Sequence, residues 1–163
     1  MTGSDLAKMF EFSYAAVTRN LDGVSHAESL VVPQPCGGNC LNWVFGHVVT
    51  ARNTILTLIG EGAAMTGEKL EVYRRGSAPS DATEYLDLAT LRGFYDDSQR
   101  TLIPALSAMS EQGLAQMVPE AYRKPPLMGS VGDALIRLHY HEGYHNGQIG
   151  LLRRIAGLDG AIR

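Results

Sequence analysis

Apolar positions recur at steps of three and four over four long stretches of the chain. Nothing alternates every second residue in the way a half-buried strand requires. That periodicity predicts helices. The first covers about residues 5–20, with Leu6, Phe10, Tyr14, Val17 and Leu21 as its stripe and Gly23 placed to stop it. The second starts at 41 or 42 and ends at 60, with Val44, His47, Val48, Ala51, Ile55 and Leu58 on one face. The third runs from about 87 to 109; Asp87 suits its N-cap, and Pro104 is expected to kink or end it. The fourth has the clearest start. Ser130-Val-Gly-Asp133 fits a capping box, the pattern continues to Ile155, Arg153 and Arg154 suit the negative helix end, and Gly157 suits the position just beyond.

Two long connections separate these helices. The first, 22–40, is rich in Pro33, Pro35, Gly37 and Gly38 and is long enough to be functional. The second, 60–86, carries Gly60, Gly62, Gly67, Gly76 and Pro79, and a short helical piece or strand can hide in it. Four helices without a sheet signal predict an all-α fold, a four-helix bundle, as one domain over 1–163. Bundles build metal sites in their cores from side chains on facing helices.

Composition removes several classes of function. A net charge of −3 leaves no electrostatic footprint for nucleic acid or an anionic membrane. No run approaches the ~18 apolar residues of a membrane span. Residues 1–5 lack a basic region followed by an apolar one, so a cytoplasmic protein is expected. Two cysteines, Cys36 and Cys40, are too few for a disulfide framework. With His47 they resemble the start of a thiolate zinc site without a fourth ligand, and a helix N-terminus near Cys40 would favour its thiolate.

The candidate chemistry lies in Leu138-His-Tyr-His-Glu-Gly-Tyr-His-Asn-Gly-Gln-Ile149, which holds three of the five histidines. On a helix His141 and His145 lie one turn apart on the same face, so their imidazoles can close on one ion. That face is otherwise apolar, and an unsatisfied imidazole there costs free energy. His47 also points inward from the second helix. Three neutral imidazoles, His47, His141 and His145, would hold a divalent transition metal, zinc or nickel first and iron, manganese or copper next, although imidazole ligation alone does not choose among them. Three ligands leave a position open, the mark of a catalytic site where a bound water or thiol is activated. Gln148, one turn beyond His145, is expected to line the site, and Glu142 is a candidate general base.

His141-Glu-Gly-Tyr-His145 also spells the HExxH pattern of zinc proteases. Such proteases need a third ligand downstream, for which only Asp159 is available, and a sheet edge to hold peptide. Hydrolysis by another route stays open. His139 lies about 200° around the helix from His141 and shares its face with Gly143, Gly147 and Gly150, which predicts close packing of another backbone, within the bundle or across a homodimer. His26 is expected at the surface, and Asp96 and Asp97 are expected to face solvent.

Asn42-Trp-Val-Phe-Gly-His47, followed far downstream by His141-Glu-Gly-Tyr-His145-Asn-Gly-Gln-Ile149, resembles the DinB/YfiT-like superfamily of bacterial four-helix bundles. The resemblance spans nearly the whole chain, including the closing Gly-Gln-Ile-Gly-Leu-Leu-Arg-Arg run. It implies that His47, His141 and His145 correspond to the family's metal triad. It further implies similarity to mycothiol-dependent maleylpyruvate isomerase and bacillithiol S-transferases, in which a metal activates a low-molecular-weight thiol for attack on an electrophile. The expected partners are thus a small-molecule thiol or electrophile. A metal-dependent transferase or hydrolase and a non-catalytic metal- or ligand-binding module both remain compatible with these residues.

Overall fold

Helix α1 (Gly3–Leu21) begins where Thr2 and Asp5 exchange capping bonds, the Thr2 hydroxyl taking the Asp5 amide and the Asp5 carboxylate taking the Thr2 amide. The structure, a computed structural model, describes residues 1–35, 37–77 and 81–162. Cys36 and Pro79 lie outside the described residues. The first long connection contains a short helix, α2 (His26–Ser29), started by a second capping box between Ser25 and Glu28. At 4 residues it is too short to show a periodic stripe. His26 is half-exposed there, and its Nδ1 accepts from the Leu88 amide at 3.3 Å.

Helix α3 (Leu41–Leu58) follows, and the second connection folds into 3₁₀ turns at Glu68–Tyr73 and Ala82–Glu84. Helix α4 (Leu88–Ala108) is capped by Asp87 as expected and runs through Pro104, which does not end it. Proline there removes one backbone donor, the partner of the carbonyl of exposed Arg100, where water can substitute. Leu102 and Leu106, both fully buried, hold the flanking turns in place. After α5 (Glu111–Ala115), helix α6 (Val131–Ile155) has the expected Ser130–Asp133 capping box and is followed by Gly157 at φ 94°. Among the described residues there is no strand, only one isolated bridge between Met117 and Ser130.

The four long helices share one interior. Helices α4 and α6 each pack against both α1 and α3. One end of the core is built on Leu21, Phe45, Val48, Leu91 and Ile149, the other on Leu6, Phe10, Ile55, Leu102 and Leu135. Among the described residues no helix is long and apolar enough to cross a membrane.

The glycine face of α6 behaves differently at its two ends. A Cβ on Gly150 would lie 3.3 Å from the Asn20 amide, so α1 does approach closely there. Gly143 and Gly147 meet nothing within 4 Å, which corrects the expectation of tight intrachain packing along the whole stripe. Helix α1 reaches only part of that face. His139 is held by α1 as well: its Nε2 lies 3.1 Å from the Met9 carbonyl, with its ring edge-on to Phe10.

Candidate metal centre

Helices α3 and α6 bring His47, His141 and His145 together, and their ligand atoms all lie within 4.8 Å of one another. The Nε2 of His141 is 3.2 Å from that of His47 and 3.0 Å from that of His145. Metal–nitrogen bonds of about 2.0–2.1 Å would separate two ligands by roughly 3.3 Å in a tetrahedron and roughly 3.0 Å at right angles. The observed spacings fall on that scale.

The outer nitrogens fix which atom of each ring is free. His47 Nδ1 lies 2.8 Å from the Tyr73 carbonyl, which can only accept, so the hydrogen is on Nδ1 and the Nε2 lone pair faces the cluster. His145 Nδ1 donates to Gln148 Oε1 at 2.6 Å with the same consequence. Gln148 is in turn oriented by the hydrogen bond that its Nε2 donates to the Tyr144 hydroxyl at 3.3 Å. Two lone pairs therefore point at His141 Nε2, which has at most one hydrogen to offer. His141 Nδ1 is buried and has no hydrogen-bond partner among the described residues. That Nδ1 lies on the far side of the ring from the cluster, but at the three Nε2 atoms protons alone cannot satisfy every lone pair. A cation among three Nε2 atoms satisfies all of them, so the donor set fits a divalent transition metal.

Electrostatics point the same way. Burial lowers the pKa of all three rings; for His141, the charges His145 and His47 would carry add to burial and bring it to about 4. Arg75 contributes to the lowering at both His47 and His141. All three imidazoles are neutral at pH 7, the form that ligates.

The position of His47 depends on a feature that the apolar stripe does not reveal. The Tyr73 ring packs directly against α3 at Gly46, where an added Cβ would fall 2.2 Å from a ring carbon. Tyr73 is pinned by its hydroxyl, which donates to Asn42 Oδ1 at 3.0 Å and accepts from the Leu86 amide at 2.7 Å. The glycine in the interior of Asn42-Trp-Val-Phe-Gly-His47 was the available signal for such an approach. Trp43 stacks on the His47 ring, its indole donating to the Val72 carbonyl.

Glu142 does not join the histidines. It is 2% exposed, and its carboxylate accepts from Arg52 Nε at 2.6 Å, Arg52 Nη2 at 2.7 Å, Tyr95 at 2.8 Å and Ser13 at 2.8 Å. Burial opposes its charge, but Arg52 and these hydrogen bonds hold its carboxyl below the usual range. Arg52, 0% exposed, was not foreseen; a lone arginine on a helix face gives no sign of burial. Asp96 accepts from Tyr14 and Asp97 pairs with Arg100, and neither belongs to the histidine group. Cys40 occupies the N-cap position of α3 but is buried, and burial pushes its thiol pKa up, so the expected thiolate is corrected.

The histidine cluster lies on the wall of an open cleft of about 1020 Å³ between α3, α6 and the segment that follows the first 3₁₀ turn. Gln148 lines it together with Trp43, Tyr144 and Leu138. The sequence model of the DinB superfamily matches residues 9–149. No curated protein matches the chain. With most of its length matched, the chain belongs to the DinB superfamily.

Proposed function

We propose that this DinB superfamily protein is a metal-dependent enzyme of S-transferase type, which activates a low-molecular-weight thiol or a water for attack on a small electrophile. The observation that carries the reading is the trio of Nε2 atoms, 3.0 and 3.2 Å apart, opening onto a cleft with no fourth protein ligand among the described residues. A divalent cation held there would lower the pKa of a thiol or water at its open position.

The chain's own residues do the rest. Tyr73 and Gln148 fix the tautomers of His47 and His145, so that the donor atoms are aimed before anything binds. Leu70, Leu127 and Leu138 give the cleft apolar walls that keep water from a bound electrophile. Tyr144, whose hydroxyl is already near Gln148, is the group placed to hydrogen-bond a substrate atom beside His145. Glu142 anchors the helices in this reading instead of serving as a base, because both its oxygens are taken. That argues against hydrolysis of the HExxH type, in which the glutamate must reach a water.

The test is elemental analysis of untagged protein, wild type against His47→Ala, followed by turnover assays. Metal-loaded protein is offered bacillithiol, mycothiol or glutathione with a panel of small electrophiles. Stoichiometric metal lost in His47→Ala, with metal-dependent thiol conjugation, supports the proposal. Bound metal without turnover in any combination leaves the non-catalytic binding module as the reading.

A further inference from the structure

Helix α3 grips Tyr73 by its carbonyl, its ring and its hydroxyl. The carbonyl lies 2.8 Å from His47 Nδ1, the ring packs on Gly46, and the hydroxyl donates to Asn42 Oδ1 at 3.0 Å. Asn42, Gly46 and His47 stand at i, i+4 and i+5, which puts all three on one side of the helix.

The hydroxyl end is a closed ring of hydrogen bonds. The Leu86 amide donates to the Tyr73 hydroxyl at 2.7 Å, the hydroxyl donates to Asn42, and Asn42 Nδ2 donates back to the Leu86 carbonyl at 2.9 Å. Asn42 and Tyr73 are both fully buried. Each group in such a ring polarises the next, and removing one leaves its neighbours unpaired away from water. No member of the ring touches the histidine cluster through its side chain. The carbonyl that holds His47 nevertheless belongs to a 3₁₀ turn, Glu68–Tyr73, whose own hydrogen bonds are too few and too poorly aligned to fix it. Asn42 anchors that turn from outside.

Resting on the reading of the three histidines as a metal centre, we infer that Asn42 and the Tyr73 hydroxyl are positioning residues for it. Together they set where the Tyr73 carbonyl stands, and thereby which nitrogen of His47 is free to meet an ion. With the carbonyl in place, the His47 hydrogen stays on Nδ1 and Nε2 carries the lone pair. With the carbonyl displaced, the hydrogen moves to either nitrogen, and a ring protonated on Nε2 cannot ligate through it. The coupling is reciprocal: an ion on His47 Nε2 keeps the hydrogen on Nδ1, and so holds residues 68–77 against α3.

Tyr73→Phe keeps the ring on Gly46 and deletes only the hydroxyl; Asn42→Ala deletes its acceptor and leaves Tyr73 intact. Metal-free protein labelled with nitrogen-15 histidine is read by NMR. Wild-type His47 should show the Nδ1–H tautomer, and each variant a mixture with the Nε2–H form. Calorimetric titration should show zinc bound about tenfold more weakly by each variant. Leu102→Ala, which truncates the core on α4, is the comparison: a lower unfolding midpoint with the tautomer and zinc affinity of the wild type. If Tyr73→Phe and Asn42→Ala keep the pure Nδ1–H tautomer and wild-type affinity, the inference is overturned however far their midpoints fall. A further measurement needs neither variant. Zinc should slow tryptic cleavage after the exposed Arg74 and Arg75 more than cleavage after the exposed Arg123, and His47→Ala should abolish the difference. Equal protection at the three sites overturns the reciprocal coupling. The two readings fail separately. Tautomer shifts in a protein whose wild type binds no zinc remove the metal centre and leave the positioning of His47; zinc binding with unshifted tautomers removes the positioning alone.

Discussion

Helices α3 and α6 build two polar clusters side by side, and the two differ in whether they are closed. One unites Arg52 of α3 with Glu142 of α6; the other unites His47 of α3 with His141 and His145 of α6. Glu142 is the very next residue after His141, yet the neighbours face different surroundings. Every donor and acceptor of the Arg52–Glu142 pair is directed at a partner of opposite character: Tyr95, Gln99 and Ser13 complete it. The histidine cluster turns three nitrogen atoms of the same kind towards one another, with at most one hydrogen among them. A closed network can only fix the helices relative to one another. An open one asks for a ligand.

The comparison breaks first at Arg52. Arg52→Ala leaves the Glu142 carboxylate buried and unpaired, and should cost about 3–5 kcal/mol of stability, read from the midpoint of urea unfolding. Replacing both partners, Arg52→Met with Glu142→Leu, should cost much less, because no orphaned charge remains. If the single variant is as stable as the double, the pair does not anchor the helices. The double variant also carries the sharper question. With stability retained, weaker zinc binding would mean that the ion pair sets the register of His47 against His141 and His145, a role that packing alone does not have.

The open cluster is sharpened by comparing a ligand with its support. Gln148→Ala removes the acceptor that orients His145 and should weaken zinc binding by roughly 10–100-fold. His47→Ala removes a donor atom and should exceed that loss, with little effect on the unfolding midpoint of metal-free protein. Calorimetric zinc titrations rank the two. Equal losses would mean that His47 is no ligand, since it would then count for no more than an outer hydrogen bond.

Much of this was legible before any coordinates. The stripes and caps of the long helices follow from local rules: Asp87, the Ser130–Asp133 box and Gly157 act within a turn of themselves. His141 and His145 were legible because four residues is a helical turn, and Gln148 because it is the next turn on. What stayed hidden depends on partners far away in sequence. Arg52 is a lone charge on its helix, and only Glu142, 90 residues later, makes its burial tolerable. Tyr73 sits in a connection without periodicity, so nothing local announced that its carbonyl would hold His47. Glu142 looked like a base because HExxH is a local pattern, whereas its role depends on three other helices or segments meeting there.

Acid separates the two clusters by the window in which each acts. The histidines ionise near 6.5 when unfolded, whereas burial and mutual repulsion bring folded His141 to about 4. Between those values the unfolded chain binds protons that the folded chain refuses, so stability falls as pH drops from about 6.5 towards 4. Glu142 acts lower. Its folded pKa is depressed below its usual 4.5, so its contribution is present above that value and is lost as pH falls through the folded one. Melting curves of metal-free protein from pH 8 to 4 should therefore show a decline beginning in the histidine window, and His141→Ala should flatten that part of the profile while leaving the more acidic fall intact. Bound zinc should deepen the wild-type slope, because protons and metal compete for the same neutral nitrogens. A His141→Ala profile that parallels the wild type between 6.5 and 4 would assign the acid sensitivity elsewhere, and with it the distinction between an open and a closed cluster would lose its electrostatic basis.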